Sequence, residues 1–111
     1  MKHLLLILLF FPLISFGQIK CNDIIDTVKT FKVIHTDYTN DSSWLQGVTF
    51  YEYYDNQELK KLFFAIAKMN SKEYVFCNIS FYDQLQYVNV LNGTSGERFH
   101  KYIFNYKCDC E

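Results

Sequence analysis

The chain predicts an α+β fold: a small three-stranded antiparallel sheet followed by two helices packed on one face, with an extra N-terminal helix allowed ahead of the sheet. Three observations carry that expectation. Residues 48–54, 59–69 and 73–79 are rich in β-branched and aromatic residues and are separated by short polar turns. Two Ser/Thr-x-x-Asp/Glu signatures then each open an apolar stripe of helical spacing. Strands in succession followed by helices in succession form an antiparallel sheet under a helical layer.

The elements follow in order. In residues 21–31, Ile24, Ile25, Val28 and Phe31 recur at helical spacing, with Asn22 or Asp23 available as a cap. Residues 32–35 extend that helix or form a short strand, and residues 36–43 carry the Asp, Asn and Ser of a loop. After the first strand, Asp55, Asn56 and Gln57 supply a turn; in the second, Leu62, Phe63, Phe64 and Ile66 place apolar groups on both faces. Asn70, Ser71 and Lys72 turn the chain into the third strand. Turns this short join antiparallel neighbours. Ser80 with Asp83 opens a helix striped by Phe81, Leu85 and Val88, which Asn92 and Gly93 end. Thr94 with Glu97 opens the last one, whose apolar face is Phe99, Tyr102, Ile103 and Tyr106.

The first residues read as a secretory leader. Met1, Lys2 and His3 precede an apolar run from Leu4 to Phe16, broken by Pro12 and Ser15. Ser15 and Gly17 are the small residues before a cut that leaves Gln18 first. The run is shorter than the roughly 20 apolar residues a spanning helix needs. Cys21 raises a lipoprotein alternative, but the large, charged Lys20 precedes it. The expected organisation is therefore a signal peptide at 1–17, an N-terminal extension at 18–41 and one domain at 42–111, with no membrane span in the mature form. The leader has a bacterial look, which places the protein in the periplasm or the extracellular space and makes the Asn-x-Ser/Thr sequences at Asn40, Asn78 and Asn92 incidental.

Removing the first 17 of 111 residues leaves 94, enough for one small core. Lys2 is the only charge lost, so 10 basic residues face 12 acidic ones and the net charge is about −2. That balance argues against nucleic acid as the main partner, because phosphate neutralisation supplies most of such binding. All four cysteines, Cys21, Cys77, Cys108 and Cys110, lie in the mature part. An even count in a small exported chain reads as disulfides. Cys108 and Cys110 are too near in sequence to join each other comfortably, so Cys21 takes one and Cys77 the other. The competing readings are a four-cysteine zinc site, for which the spacing is poor, and one bridge with two thiols.

Catalytic signals are sparse. The mature chain holds two histidines, His35 and His100, with no nucleophile elbow beside them. Cys77 reads as a bridge or a buried thiol rather than a nucleophile. Asp55, Glu58, Glu73, Asp83 and Glu97 occur singly, as turn and cap residues do. Residues 37–41 resemble a calcium loop only loosely, lacking its glycine and closing glutamate. The glycine-bearing loop at 92–96 suits helix capping better than phosphate cradling. No catalytic residue, metal site or cofactor is expected.

Aromatic residues are the compositional oddity: dropping Phe10, Phe11 and Phe16 still leaves 18 of the 21 in the mature chain. With helices on one face only, some strand rings stay exposed. Tyr51, Tyr53, Tyr74 and Phe76 are the candidate binding surface, of a kind that stacks on sugars, peptides or bases.

An ordered set of residues adds a resemblance. Ser42 and Ser43 precede the first strand and Tyr54-Asp55 ends it; Tyr74-Val75-Phe76 follows, with Ile79 three residues on. Tyr82 and Leu85 lie in the next helix, and Gly96, Phe99, His100, Ile103 and Tyr106 close the set. This series, over roughly residues 42–108, resembles the KTSC domain, a module named after the C-terminus of some lysyl-tRNA synthetases. Ser80, His100 and Phe104 stand where that family has a proline, an asparagine and a basic residue. The resemblance implies a small stand-alone module, for which RNA binding has been suggested. The expected function is a non-enzymatic exported KTSC-like domain that binds a macromolecular partner or plays a structural role. The alternatives are nucleic-acid binding through the sheet aromatics with Lys60, Lys61, Lys72, Arg98 and Lys101, and a small secreted hydrolase using His100 or His35.

Overall fold

A computed structural model describes residues 19–39 and 41–111; the expected leader and its cleavage site before Gln18 lie outside them. The described chain is α+β, with an antiparallel sheet of four strands in the order β1 (Lys32–Asp37), β2 (Leu45–Asp55), β3 (Lys60–Met69), β4 (Lys72–Phe76). Helix α1 (Cys21–Val28) precedes the sheet. Helices α2 (Phe81–Val88) and α3 (Ser95–Tyr102) follow it, each trailed by a 3₁₀ turn, Val90–Asn92 and Phe104–Tyr106.

The sheet therefore has one strand more than the sequence predicts. Residues 36 and 37, expected in a loop, belong with 32–35 to β1, which pairs antiparallel with β2. The run Lys32-Val33-Ile34-His35-Thr36 is rich in β-branched residues, and β2 offers it an edge to pair with. The segment read as an N-terminal extension is thus integral to the fold. Asn70 and Ser71, both at positive φ (50° and 67°), form the two-residue turn between β3 and β4. Two left-handed central residues match the twist of a hairpin. Lys72 accordingly lies in β4, and the strand stops at Phe76 rather than at 79.

The second departure concerns the faces. Helices were expected on one side only, yet both sides are covered. The reason is β3, which carries Phe63, Ala65 and Ala67 towards one face and Phe64 and Ile66 towards the other. On the first face α2 and α3 bury Val48, Phe50, Ala65, Ala67 and Phe76 beneath Tyr87, Phe99 and Ile103. Phe99 is the hub, meeting Phe76 edge-on at 5.1 Å, Trp44 at 6.1 Å and Tyr87 at 6.3 Å. On the second face Ile25 and Val28 of α1 close over Tyr51, Phe64, Ile66 and Val75.

The local signals fare unevenly. Ser80 caps α2 by accepting from the Asp83 N–H, and Thr94 with Glu97 forms the full reciprocal box at α3. Helix α2 stops at Val88, earlier than expected, and Asn92 with Gly93 instead ends a 3₁₀ turn. Gly93 sits at φ 126°, ψ −169°, a region open to glycine alone. Helix α1 uses neither Asn22 nor Asp23 as a cap; Lys20 holds that position with no side-chain bond. Its start is fixed instead by the C-terminus, since Cys21 N–H donates to the Glu111 carbonyl at 2.8 Å.

The last residues form a strap. Cys77 N–H donates to the Tyr106 carbonyl and Cys108 N–H to the Val75 carbonyl, so the chain after Tyr106 runs beside β4. Two disulfides lock it: Cys21–Cys110, with Cα atoms 5.1 Å apart, and Cys77–Cys108, with Cα atoms 5.0 Å apart. The first spans 89 residues. Replacing Cys21 and Cys110 together by serine is expected to lower the unfolding free energy by about 4–5 kcal/mol in the chain-entropy picture. Urea unfolding measures the loss, and non-reducing peptide mapping is expected to recover the same two pairs.

Candidate functional site

The four rings of the expected binding surface do not share a face. Tyr51 and Tyr53 alternate onto the α1 side, whereas Tyr74 and Phe76 point to the α2/α3 side. Tyr51 is only 8% exposed and Phe76 is fully buried. Tyr74 packs partly against the core, and Tyr53 leans on Phe31 at 4.7 Å. The physical reason is α1, which covers the face that was expected to stay open.

The basic residues do not gather with these rings. Lys60 pairs with Glu58 at 3.0 Å and Lys61 with Glu52 at 3.6 Å. Lys72 lies 5.7 Å from the Tyr74 ring, and Lys101 5.3 Å from that of Tyr102. Arg98 is 5% exposed and unavailable to a polyanion. Its Nε donates to the Gly93 carbonyl at 3.0 Å, its Nη2 to Ser95 Oγ at 3.2 Å and its Nη1 to the Tyr87 carbonyl. The two histidines also stand apart: His35 lies on β1 across from Phe50, and His100 stacks on Phe104 in α3.

Most residues of the family-like series are structural. Phe99 and Ile103 are core, and Tyr54 is exposed at the end of β2. Asp55 Oδ1 accepts from the Gln57 N–H at 2.9 Å and builds the turn. The Tyr106 hydroxyl donates to the Asp83 carboxylate and lies 3.2 Å from Ser80 Oγ, tying the last 3₁₀ turn to the start of α2. Ser42, Ser43, Gly96 and His100 differ: they meet in one cleft of about 540 Å³.

This cleft lies where residues 41–44 cross the start of α3. Both oxygens of Asp41 accept from the Ser95 N–H, at 3.1 and 3.3 Å. Ser42 Oγ accepts from the Leu45 N–H at 3.1 Å, which turns the chain into β2. At the N-terminus of α3, Thr94 Oγ1 accepts from the Glu97 N–H and Glu97 Oε1 from the Thr94 N–H. Gly96 lets the two segments touch: a Cβ there would stand 3.2 Å from the Trp44 ring and 3.3 Å from Ser42 Oγ. Trp44, half-buried, forms one wall, and His100 with Lys101 lines the helix side.

The same bonds set the electrostatics. Hydrogen bonding from Ser95 holds the Asp41 carboxyl below its ordinary range, and Thr94 does the same for Glu97. Such carboxylates are poor proton donors at neutral pH. Beneath the cleft, burial and then the bond to Asp37 push the Tyr87 hydroxyl up, so it stays a donor, 2.6 Å from Asp37 Oδ2. Among the described residues no hydrogen bond joins a serine of the cleft to His100, and no three His, Cys, Asp or Glu side chains converge as a metal would need. A second cleft, of about 500 Å³, lies between the β2–β3 turn and the start of α2, against Phe63 and Phe81.

Sequence reasoning passed over Trp44 and read Asp41 only as a loop residue within a loose calcium-loop pattern, not as the partner of α3. The Thr94/Glu97 box marked where α3 begins, but nothing in the sequence marked which segment crosses it. No protein-family model, curated protein or solved structure matches this chain.

Two outcomes follow from the geometry. Carboxylates held below their ordinary range stabilise the fold above about pH 4, and that contribution is lost as pH falls through their folded values. Asp41→Asn is therefore expected to flatten the loss of stability between neutral and acidic pH, read as urea midpoints at pH 7 and pH 3. Gly96→Val is expected to push the indole towards water, shifting Trp44 emission to longer wavelength with a loss of roughly 1–3 kcal/mol from overpacking.

Proposed function

We propose that this chain is an exported, non-enzymatic KTSC-like binding module, and that the cleft at the start of α3 takes its ligand. The leader-like first residues and the two disulfides support export. Among the described residues no helix is long and apolar enough to cross a membrane.

The observation that carries the reading is the state of the charged groups in the cleft. Asp41 and Glu97 are engaged as ionised caps of α3, so they present acceptor oxygens rather than transferable protons. Around them stand the Ser43 hydroxyl, the His100 imidazole, the Lys101 ammonium and the indole of Trp44. A flat apolar wall beside donors and acceptors matches a saccharide ring, which has a C–H face and a rim of hydroxyls. The volume falls in the roughly 300–1,000 Å³ range of small-ligand sites. The polyanion alternative is weaker, because Arg98 is engaged inside the fold and Lys60 and Lys61 face carboxylates.

Trp44 is the only tryptophan, so its fluorescence reports directly on the cleft. Titration with neutral and acidic oligosaccharides is expected to give a saturable change that is lost in a His100→Ala, Lys101→Ala variant. A cleft silent to every glycan, in a protein that turns over an ester or peptide substrate, would replace this reading with the hydrolase one.

A further inference from the structure

The two edges of the sheet are not alike. The outer edge of β4 is taken by the C-terminal strap, through the Cys77–Tyr106 and Cys108–Val75 backbone bonds. The outer edge of β1 has no such cover among the described residues. Every second N–H and C=O along β1 points away from β2. Val33 beside it is 53% exposed and Tyr38, just past its end, is 76% exposed. An open edge of this kind is a template for another strand.

We propose that β1 pairs antiparallel with β1 of a second copy of this chain, joining two four-stranded sheets into one. The strand is complementary to itself. With Lys32 set opposite Asp37 of the other copy, Val33 meets Thr36 and Ile34 meets His35, each pair occurring twice. The ends carry opposite charges across the seam, the arrangement that favours one register over its neighbours. Lys32 is largely exposed and holds Glu52 only at 3.5 Å. Asp37 Oδ2 accepts from the Tyr87 hydroxyl at 2.6 Å, which holds the carboxylate at the end of β1.

The facing of the side chains agrees with that register. Lys32 and Asp37 lie opposite Glu52 and Val48 of β2, on the α2/α3 side. Val33 and Thr36 lie opposite Tyr51 and Thr49, on the α1 side. The register shifts between Val33 and His35. Ile34 packs against the α2/α3-side core, as does Phe50, the partner of His35. The irregularity is therefore centred on the strand, and two copies match face for face across it. One step outward, the same register sets Tyr38 against Phe31 of the other copy, both on the α1 side. The exposed ring thereby gains an aromatic neighbour. Because the strap already closes β4, pairing at β1 ends with two chains and does not propagate.

The inference rests on the sheet and is independent of the ligand proposed above. Sedimentation equilibrium of the oxidised, exported protein is expected to show twice the monomer mass at high concentration and dissociation on dilution. Lys32→Glu sets two carboxylates together at each end of the seam and is expected to weaken the dimer at least tenfold. Hydrogen exchange is expected to show β1 amides slowing as wild-type concentration rises. Monomer mass up to several hundred micromolar, in about physiological salt, overturns the proposal. So does a dimer that Lys32→Glu leaves intact while β1 amides exchange freely, since it would be built on another face.

Discussion

A strand that is apolar on both sides has to be covered on both sides, and most of this fold is the consequence for β3. Phe63, Ala65 and Ala67 cannot be buried by the same layer as Phe64 and Ile66. Helices α2 and α3 supply the first layer. The second has to come from elsewhere, and the only regular element left among the described residues is α1. An eight-residue helix is too short to hold itself together in water. Its position on the sheet is secured by contacts outside the helix: the burial of its own Ile25 and Val28 against the sheet, the Lys29–Glu73 ion pair at 2.9 Å, and the bridge from Cys21 to Cys110. The exposed pair adds little by itself. The covalent bond does more, because it removes freedom from the unfolded chain.

The other layer is organised around a buried cation. Taking a guanidinium out of water costs several kcal/mol unless its donors are matched. Arg98 is matched mainly by carbonyl and hydroxyl oxygens, with its charge also 5.1 Å from the Tyr87 ring. Those acceptors come from the end of α2, the Gly93 turn and the start of α3, so the residue that satisfies its own charge also fixes the angle between the two helices. Tyr87 passes the connection to β1 through its bond to Asp37. Asp41 then closes over the start of α3, where its charge favours both the helix N-terminus and the nearby guanidinium. The cleft beside Trp44 is the surface left by this arrangement, and the segment that forms one of its walls, though without regular structure, is tied down by the Asp41–Ser95 and Ser42–Leu45 bonds.

What the sequence disclosed follows from how far apart the deciding residues are. The Thr94/Glu97 box and the Ser80 cap are decided within four residues, and both were legible. The hairpin β2–β3–β4 was legible because short turns leave few ways to pair. Strand β1 was legible only in part: a short strand at 32–35 was one of two readings, and because Lys32 to Asp37 is short, part charged, and follows α1 almost at once, the choice is decided by β2, some fifteen residues away. The same distance problem hid the burial of Tyr51, which depends on where α1 lands. The cysteines lay between these cases. Chain geometry reduced the choices to two, and the path of the strap selects between them by laying Cys108 beside β4 and Cys110 beside α1. The cleft was the least legible, since Asp41 and Ser95 are 54 residues apart and neither type signals a ligand.

The strap after Tyr106 is where these constraints meet. It completes the edge of β4, its Cys110 and Glu111 hold the start of α1, and its Cys108 joins the cluster that α1 buries. Both bridges end on it, so one short segment without helix or strand of its own sustains the second layer and closes one edge of the sheet. Packing alone does little of this, because Cys108 is the one buried residue among 107–111. Covalent closure does more of it, provided the thiols are oxidised. Two such bridges are consistent with a compartment in which disulfides persist. The cysteines are therefore part of how the sheet is covered, since one bridge ties α1 to the strap and the other ties the strap to the end of β4.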